Sequence, residues 1–299
     1  MATDSALDIS EAHIAAYRRD GALLLKSVIA REYLELIERS LEEIYAAPGD
    51  MTSRVTTAAG KGDTLTDQFA SLHNDKLARF IAKSPAAEIA GRLMASKQAQ
   101  FVLDQIFYKQ SGHVVCTPWH QDTPFLRVRG SDLARVWVCC DPSPRRLTVQ
   151  VVRGSQRWNV IYRATGSADE DAVAVDVGTR FSYSGEYDAA LPELPNIAAH
   201  RGSFDIMSWD VEPGDALVFN GNILHGAEGG FDHPTPRRAF ASLWAGDDAR
   251  YHVSRSHTVP DLAVLKGALV PHGAPLSDYP QIFPVGWRRA VEGELRRES

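Results

Sequence analysis

From Gln98 onward the chain breaks into short runs rich in β-branched and aromatic residues, each punctuated by Gly, Pro or Asp. The runs are FVLDQIFYKQ (101–110), ARVWVCCD (134–141), RLTVQVVRG (146–154), FDIMSWD (204–210), DALVFN (215–220) and RRAFASLWA (237–245). Parallel strands need a crossover, usually helical, between them. Six runs without helical patterns between them exclude a parallel α/β sheet and predict an antiparallel sandwich or barrel.

The N-terminal third has another texture. Residues 9–19 read as a short amphipathic helix with Ser10 as its N-cap, ended by Asp20-Gly21, and 22–25 as a buried strand. Over 30–46, Tyr33, Leu36, Ile37, Leu41 and Ile44 recur at three- and four-residue steps, so one apolar helix face is expected to cover a sheet. The stretch 49–70, polar and Thr-rich, reads as a loop placed to overhang a site, and 75–96 as helical again. At about 150 residues per domain the length fits one or two units. The division expected is one domain over 1–299. It comprises a helical envelope with the first strand (1–97), a β core (98–249) interrupted by an irregular insertion (160–200), and a C-terminal extension (250–299) rich in Pro, Gly and His.

Lys plus Arg number 32 against 38 Asp plus Glu, a net −6 that disfavours a nucleic-acid binder, since phosphates demand a basic surface. Three Cys, an odd number, argue against a disulfide framework and for a reducing compartment. The opening MATDSALDIS has no basic and apolar leader pattern, and no apolar run approaches the ~18 residues of a membrane span. A soluble cytoplasmic protein acting on a small molecule is the expectation. Between Arg127 and Arg163 stand eight Arg and two Asp. Such a run reads either as a solvated face or as a patch steering an anionic substrate.

Chemistry concentrates at Trp119-His120-Gln121-Asp122 and at Pro213-Gly214-Asp215, which launches a strand leading to His225. Residues two apart on an extended chain project to one face, so His120 and Asp122 can grip one cation, with His225 arriving from a distant strand. Two His and one carboxylate form the facial triad of non-haem Fe(II) oxygenases, which leaves three coordination positions open. A second H-x-D, His73-Asn74-Asp75, precedes a helical run, and there Asn74 or Asp75 reads as a cap. Twelve residues beyond His225, Arg237 or its neighbour Arg238 can turn back on the next strand to clamp a carboxylate. The two must face opposite ways, and Arg237 is the one chosen here.

Taken together, Asp20-Gly21-Ala22-Leu23, Trp119-His120-Gln121-Asp122, Val136-Trp137, Arg153-Gly154-Ser155-Gln156, Pro213-Gly214-Asp215, His225-Gly226, Arg237-Arg238-Ala239 and Phe283-Pro284-Val285 resemble, in order and spacing, the phytanoyl-CoA dioxygenase family of Fe(II)- and 2-oxoglutarate-dependent oxygenases. The resemblance implies a mainly β fold with N-terminal helices, a double-stranded β-helix or cupin-like jelly roll. It implies Fe(II) on His120, Asp122 and His225, 2-oxoglutarate on Arg237 beside Trp137, with Gln105 a further cosubstrate contact, and O2 as oxidant. The expected reaction oxidises, by hydroxylation, an unactivated C–H of a small molecule and releases succinate and CO2. Arg145-Arg146-Leu147 and Gly154-Ser155-Gln156 depart from the family's Asn-Gly and Gly-Ser-His, which affects pocket shape and not the ligands. Two other classes fit the residues: an idle small-molecule-binding jelly roll, and an O2-independent metal isomerase or hydrolase that would not need Arg237.

Overall fold

The computed structural model describes residues 7–57, 62–163, 172–177, 190–253 and 261–290. Helix α1 (Glu11–Asp20) is opened by Ser10, whose side chain accepts from the His13 N–H. Gly21, at φ 82°, closes it by donating to the Tyr17 carbonyl, in a left-handed conformation that suits a residue without Cβ. Strand β1 (Ala22–Leu25) follows, then α2 (Arg31–Ala46), in which Ile37, Leu41 and Ile44 of the expected apolar face are buried, together with Leu34, while Tyr33 and Leu36 are only partly covered. The helical stretch 75–96 is two helices, α3 (Asp75–Lys83) and α4 (Ala86–Met94). Pro85 forces the preceding Ser84 into extended backbone, which splits them. Asn74 caps α3 by accepting from the Lys76 and Leu77 N–H groups, so the second H-x-D is a helix start.

The expectation of a loop over 49–70 is overturned. Strands β2 (Thr52–Thr57) and β3 (Asp63–Gln68) pair antiparallel there and join the main sheet. Both of their faces carry polar residues, which erases the apolar alternation that marks most strands; the β-branched threonines were the remaining signal. A segment laddered into a sheet on both sides is a wall and not a lid.

The remaining strands are β4 (Gln98–Lys109), β5 (Gly112–Val114), β6 (Thr117–His120), β7 (Val128–Arg129), β8 (Leu133–Cys139), β9 (Gln150–Val152), β10 (Ala172–Val177), β11 (Ile206–Met207), β12 (Ala216–Asn220), β13 (His225–Ala227), β14 (Phe231–His233), β15 (Arg237–Ala245), β16 (Arg250–Tyr251) and β17 (Val285–Arg288), with a one-turn helix α5 (Leu262–Leu265) before the last. Among the described residues the main sheet runs β1-β12-β8-β15-β4-β3-β2-β10. β17 takes the part of the β4 edge, near Gln98–Gln100, that β3 leaves open. A smaller sheet, β11-β9-β13-β6, faces it, which completes the jelly roll. No helix among the described residues is long and apolar enough to cross a membrane.

Alternation along β8 shows the layering. Val136 and Val138 join the large core under the helices, while Trp137 and Cys139 belong to a second core between the sheets with Val151, Leu217, Phe219, Ala239 and Ala241. The outer layer is locked by Phe80 of α3 standing edge-on to Phe240 of β15 at 5.2 Å. Gly91 of α4 lies so close to Trp287 of β17 that a Cβ there would stand 2.2 Å from the indole, so only glycine admits this contact. Cys139 and Cys140 fill space on opposite faces, as adjacent strand residues must.

Candidate metal centre and its pocket

His120 ends β6 and His225 begins β13, and the two are directly paired in the ladder. Asp122 follows where the chain leaves the sheet: its N–H donates to the Gly221 carbonyl at 3.1 Å, and the Thr123 hydroxyl reaches the same carbonyl. The turn after β6 is thereby tied to the turn that delivers His225. One ligand atom from each of the three residues lies within 4.8 Å of the others. Oδ1 of Asp122 is 4.0 Å from His120 Nε2 and 3.8 Å from His225 Nε2.

The donor chemistry fits a divalent cation. His120 Nδ1 lies 2.7 Å from the Pro118 carbonyl and His225 Nδ1 3.0 Å from the Ile223 carbonyl. Carbonyls only accept, so each Nδ1 holds the proton and each Nε2 presents its lone pair to the centre. Burial disfavours protonation of both rings and pushes His225 down to about 3, helped by neighbouring His120. For Asp122 burial works upward, yet Arg135 and then the two histidines outweigh it and hold the carboxyl below its ordinary range. Two neutral imidazoles and one carboxylate are the protonation states a metal requires.

Arg135, in the middle of β8, was missed in the sequence. Its Nη1 donates to Asp122 Oδ2 at 3.2 Å and its Nη2 to Gln105 Oε1 at 2.6 Å. The signal was present: a charged residue flanked on its strand by Leu133, Ala134, Val136 and Trp137 is buried and must have a partner. Gln105 therefore lies in the pocket wall, with its oxygen occupied by Arg135.

Arg237 and Arg238 separate as their parity demands. Arg238 faces outward to Asp141 and Glu42. Arg237 is buried on the inner face, 5.5 Å above the Trp137 ring. Its Nη1 donates to the Leu147 carbonyl at 2.9 Å, but its Nε is buried without a hydrogen-bond partner. A buried guanidinium with an orphaned N–H calls for an acceptor, and a carboxylate is the group whose geometry matches it. Lys109, also buried, stands directly opposite on β4 and donates to the Val115 carbonyl. Small Ala239 and Ala241 follow Arg237 along the inner face of β15.

The aromatic residues of the 160–200 insertion, Tyr162, Phe181, Tyr183 and Tyr187, suggest by their types an aromatic wall or loop packing; Tyr162 packs beside Val152, Ile197 and Leu224, and the other three lie outside the described residues. The arginine-rich run is largely ion-paired: Arg145 with Asp210 at 3.0 Å, Arg153 with Asp205 at 2.9 Å, Arg163 with Glu193 at 3.6 Å. Such pairing is that of a solvated face.

Comparisons with known proteins agree with this geometry. The phytanoyl-CoA dioxygenase (PhyH) family profile matches residues 17–230. Ectoine dioxygenase of Sphingopyxis alaskensis (strain DSM 13593 / LMG 18877 / RB2256) is 23% identical over 245 residues, covering 77% of this chain and 73% of that protein. Among solved structures, the non-haem alpha-ketoglutarate-dependent epimerase SnoN from nogalamycin biosynthesis superposes with a TM-score of 0.67 at 19% identity, over 94% of this chain and 97% of its own. The carbocyclase SnoK from the same biosynthesis gives 0.65 at 18% identity, over 93% and 96%.

Proposed function

Because the chain belongs to the phytanoyl-CoA dioxygenase family, we propose that it is a non-haem Fe(II)- and 2-oxoglutarate-dependent oxygenase that hydroxylates an unactivated C–H of a small organic molecule. The observation that carries this reading is the pairing of two features on facing sheets: the His120, Asp122, His225 cluster and the buried Arg237 with its orphaned Nε. The first fits a ferrous ion with three positions open, and the second fits the distal carboxylate of the oxo acid. When bound, iron and 2-oxoglutarate supply O2-dependent oxidative decarboxylation, which yields succinate and CO2 and oxidises the substrate.

The chain's own part is placement and exclusion of water. Nδ1 bonds to Pro118 and Ile223 hold both imidazoles in the ligating tautomer, and Arg135 keeps Oδ2 of Asp122 engaged so that Oδ1 faces the histidines. Trp137 lies under the Arg237 guanidinium and shields it from solvent, which strengthens its charge-assisted bonds. Oxidation without net oxygen transfer is a second reading, favoured by the structural likeness to proteins named as an epimerase and a carbocyclase.

The test begins anaerobically. Fe(II) with 2-oxoglutarate should give the weak visible charge-transfer band of the chelate, and Asp122→Ala should abolish it; no band in wild type, or an undiminished one in the variant, refutes the assignment. Succinate released under O2 in step with product formation separates an oxygenase from an idle binder. Incorporation of label from 18O2 into product then separates hydroxylation from epimerisation or ring closure.

A further inference from the structure

Among the described residues the inner wall carries, besides Arg237, a second buried polar group without a hydrogen-bond partner, Gln68. Gln68 is the last residue of β3 and stands directly opposite Gln105 of β4. Gln105 points inward, because its Oε1 accepts from Arg135, which in turn holds Asp122. Ladder partners share a face, so Gln68 stands on the same inner face as Gln105. Its outward neighbour Asp67 instead meets Thr52 and His73. Gln68 is only 5% exposed, and its Oε1 is buried without a hydrogen-bond partner.

Buried polar groups are almost always satisfied, and leaving one unmade costs the protein its desolvation. Beside this acceptor lies a donor. With Oε1 of Gln105 taken by Arg135, the Gln105 amide presents Nε2–H to the pocket. The charge at this wall is already balanced, Arg135 against Asp122, so an anion placed here would be buried without a counter-charge of its own. A neutral group that both donates and accepts fits both amides at no such cost.

We propose that Gln68 and Gln105 form a subsite that fixes a hydroxyl or carboxamide of the substrate, which donates to Gln68 Oε1 and accepts from Gln105 Nε2, so that Gln105 serves the substrate and not the cosubstrate that the resemblance implied. Calling the ligand a substrate rests on the oxygenase reading; the site itself rests on the unpaired amide. The row Gln68, Gln105, Arg135, Asp122 then runs from the bound group to the metal ligand, and substrate recognition is built on the wall of the sheet itself.

Two measurements on full-length protein, wild type and Gln68→Met, decide it. Calorimetry should show Gln68→Met melting higher, by about 2–4 °C, because methionine fills the same volume without an unpaired amide. Saturation-transfer NMR on protein loaded anaerobically with Fe(II) and 2-oxoglutarate should detect acetamide on wild type and show at least about tenfold less on Gln68→Met, while acetate does not distinguish the two. A melting temperature unchanged or lowered, no acetamide signal on wild type, or equal acetamide signals on both proteins overturns the proposal. The chelate band recorded on the same samples keeps the two readings apart. Its absence from wild type sinks the oxygenase assignment, whereas an intact band with no acetamide difference sinks only the subsite.

Discussion

Arg135 and Asp122 divide one carboxylate between two tasks: Nη1 of the arginine donates to Oδ2 at 3.2 Å, while Oδ1 faces both histidine Nε2 atoms at 4.0 and 3.8 Å. The arginine therefore orients the ligand and leaves a single oxygen for the metal. Partners of this kind typically govern affinity by 10–100-fold. Arg135→Met should weaken Fe(II) binding by about that factor. Arg135→Lys should recover only part, since an ammonium cannot reach Asp122 and Gln105 with two fixed donors. Anaerobic Fe(II) titration checks this, with circular dichroism to show that the variants fold; an unchanged dissociation constant would mean that the backbone alone places Asp122.

Arg237 and Arg238 offer an internal control. Hydrogen bonds to charged groups are worth about 1.5–3 kcal/mol, so Arg237→Gln should weaken 2-oxoglutarate binding about 10- to 150-fold. Arg238→Gln loses only the outward pairs with Asp141 and Glu42 and should leave cosubstrate affinity unchanged. Titration of the chelate band with 2-oxoglutarate measures both, and equal losses in the two variants would contradict the assignment.

Asp104 ties β4 to the turn at Ala70–Leu72 through the Ser71 hydroxyl and N–H. Burial, opposed by Ser71 and reinforced by nearby Asp67, pushes its carboxyl up to about 7. The folded state thus binds a proton that the unfolded chain releases near pH 4, and stability falls as pH rises between the two values. This contribution is full below about pH 4 and lost by about pH 7. Asp104→Asn carries no such titration, so its melting temperature relative to wild type should climb from pH 4.5 to pH 7.5. A constant difference across that range would show that Asp104 is ionised throughout.

Asp215 closes the Pro213-Gly214-Asp215 turn, accepting from the Ser27 N–H at 3.0 Å, the Glu212 N–H at 2.9 Å and Lys26 at 2.7 Å. Lys26 is mostly exposed, so the two backbone donors matter most. Asp215→Ala should cost about 1–3 kcal/mol of stability by leaving them unpaired. Denaturant unfolding reads this, and the chelate band should persist because the turn lies at the far end of β12 from His225.

Residues with a local signature were legible. Ser10 and Gly21 bracket α1 as their types predict, and the H-x-D spacing brings His120 and Asp122 to one place. The hairpin over 52–68 was not legible, because polar residues on both of its faces remove the apolar alternation that identifies a strand. Arg135 and Gln68 were overlooked for a related reason: a polar residue inside a strand declares that it needs a partner, but not which one.

By itself the sequence determined where most of the strands and helices lie, the 52–68 hairpin excepted, and which residue types could bind a metal and an acid, because propensity, capping and spacing act over a few neighbouring residues. Tertiary structure alone decided that Arg237 turns inward and Arg238 outward, that His225 lands opposite His120 across more than a hundred residues, and that Arg135 reaches Asp122. Those outcomes depend on strand register and on which face of a sheet is covered. A shift of one residue in register would reverse them all without altering a single local preference.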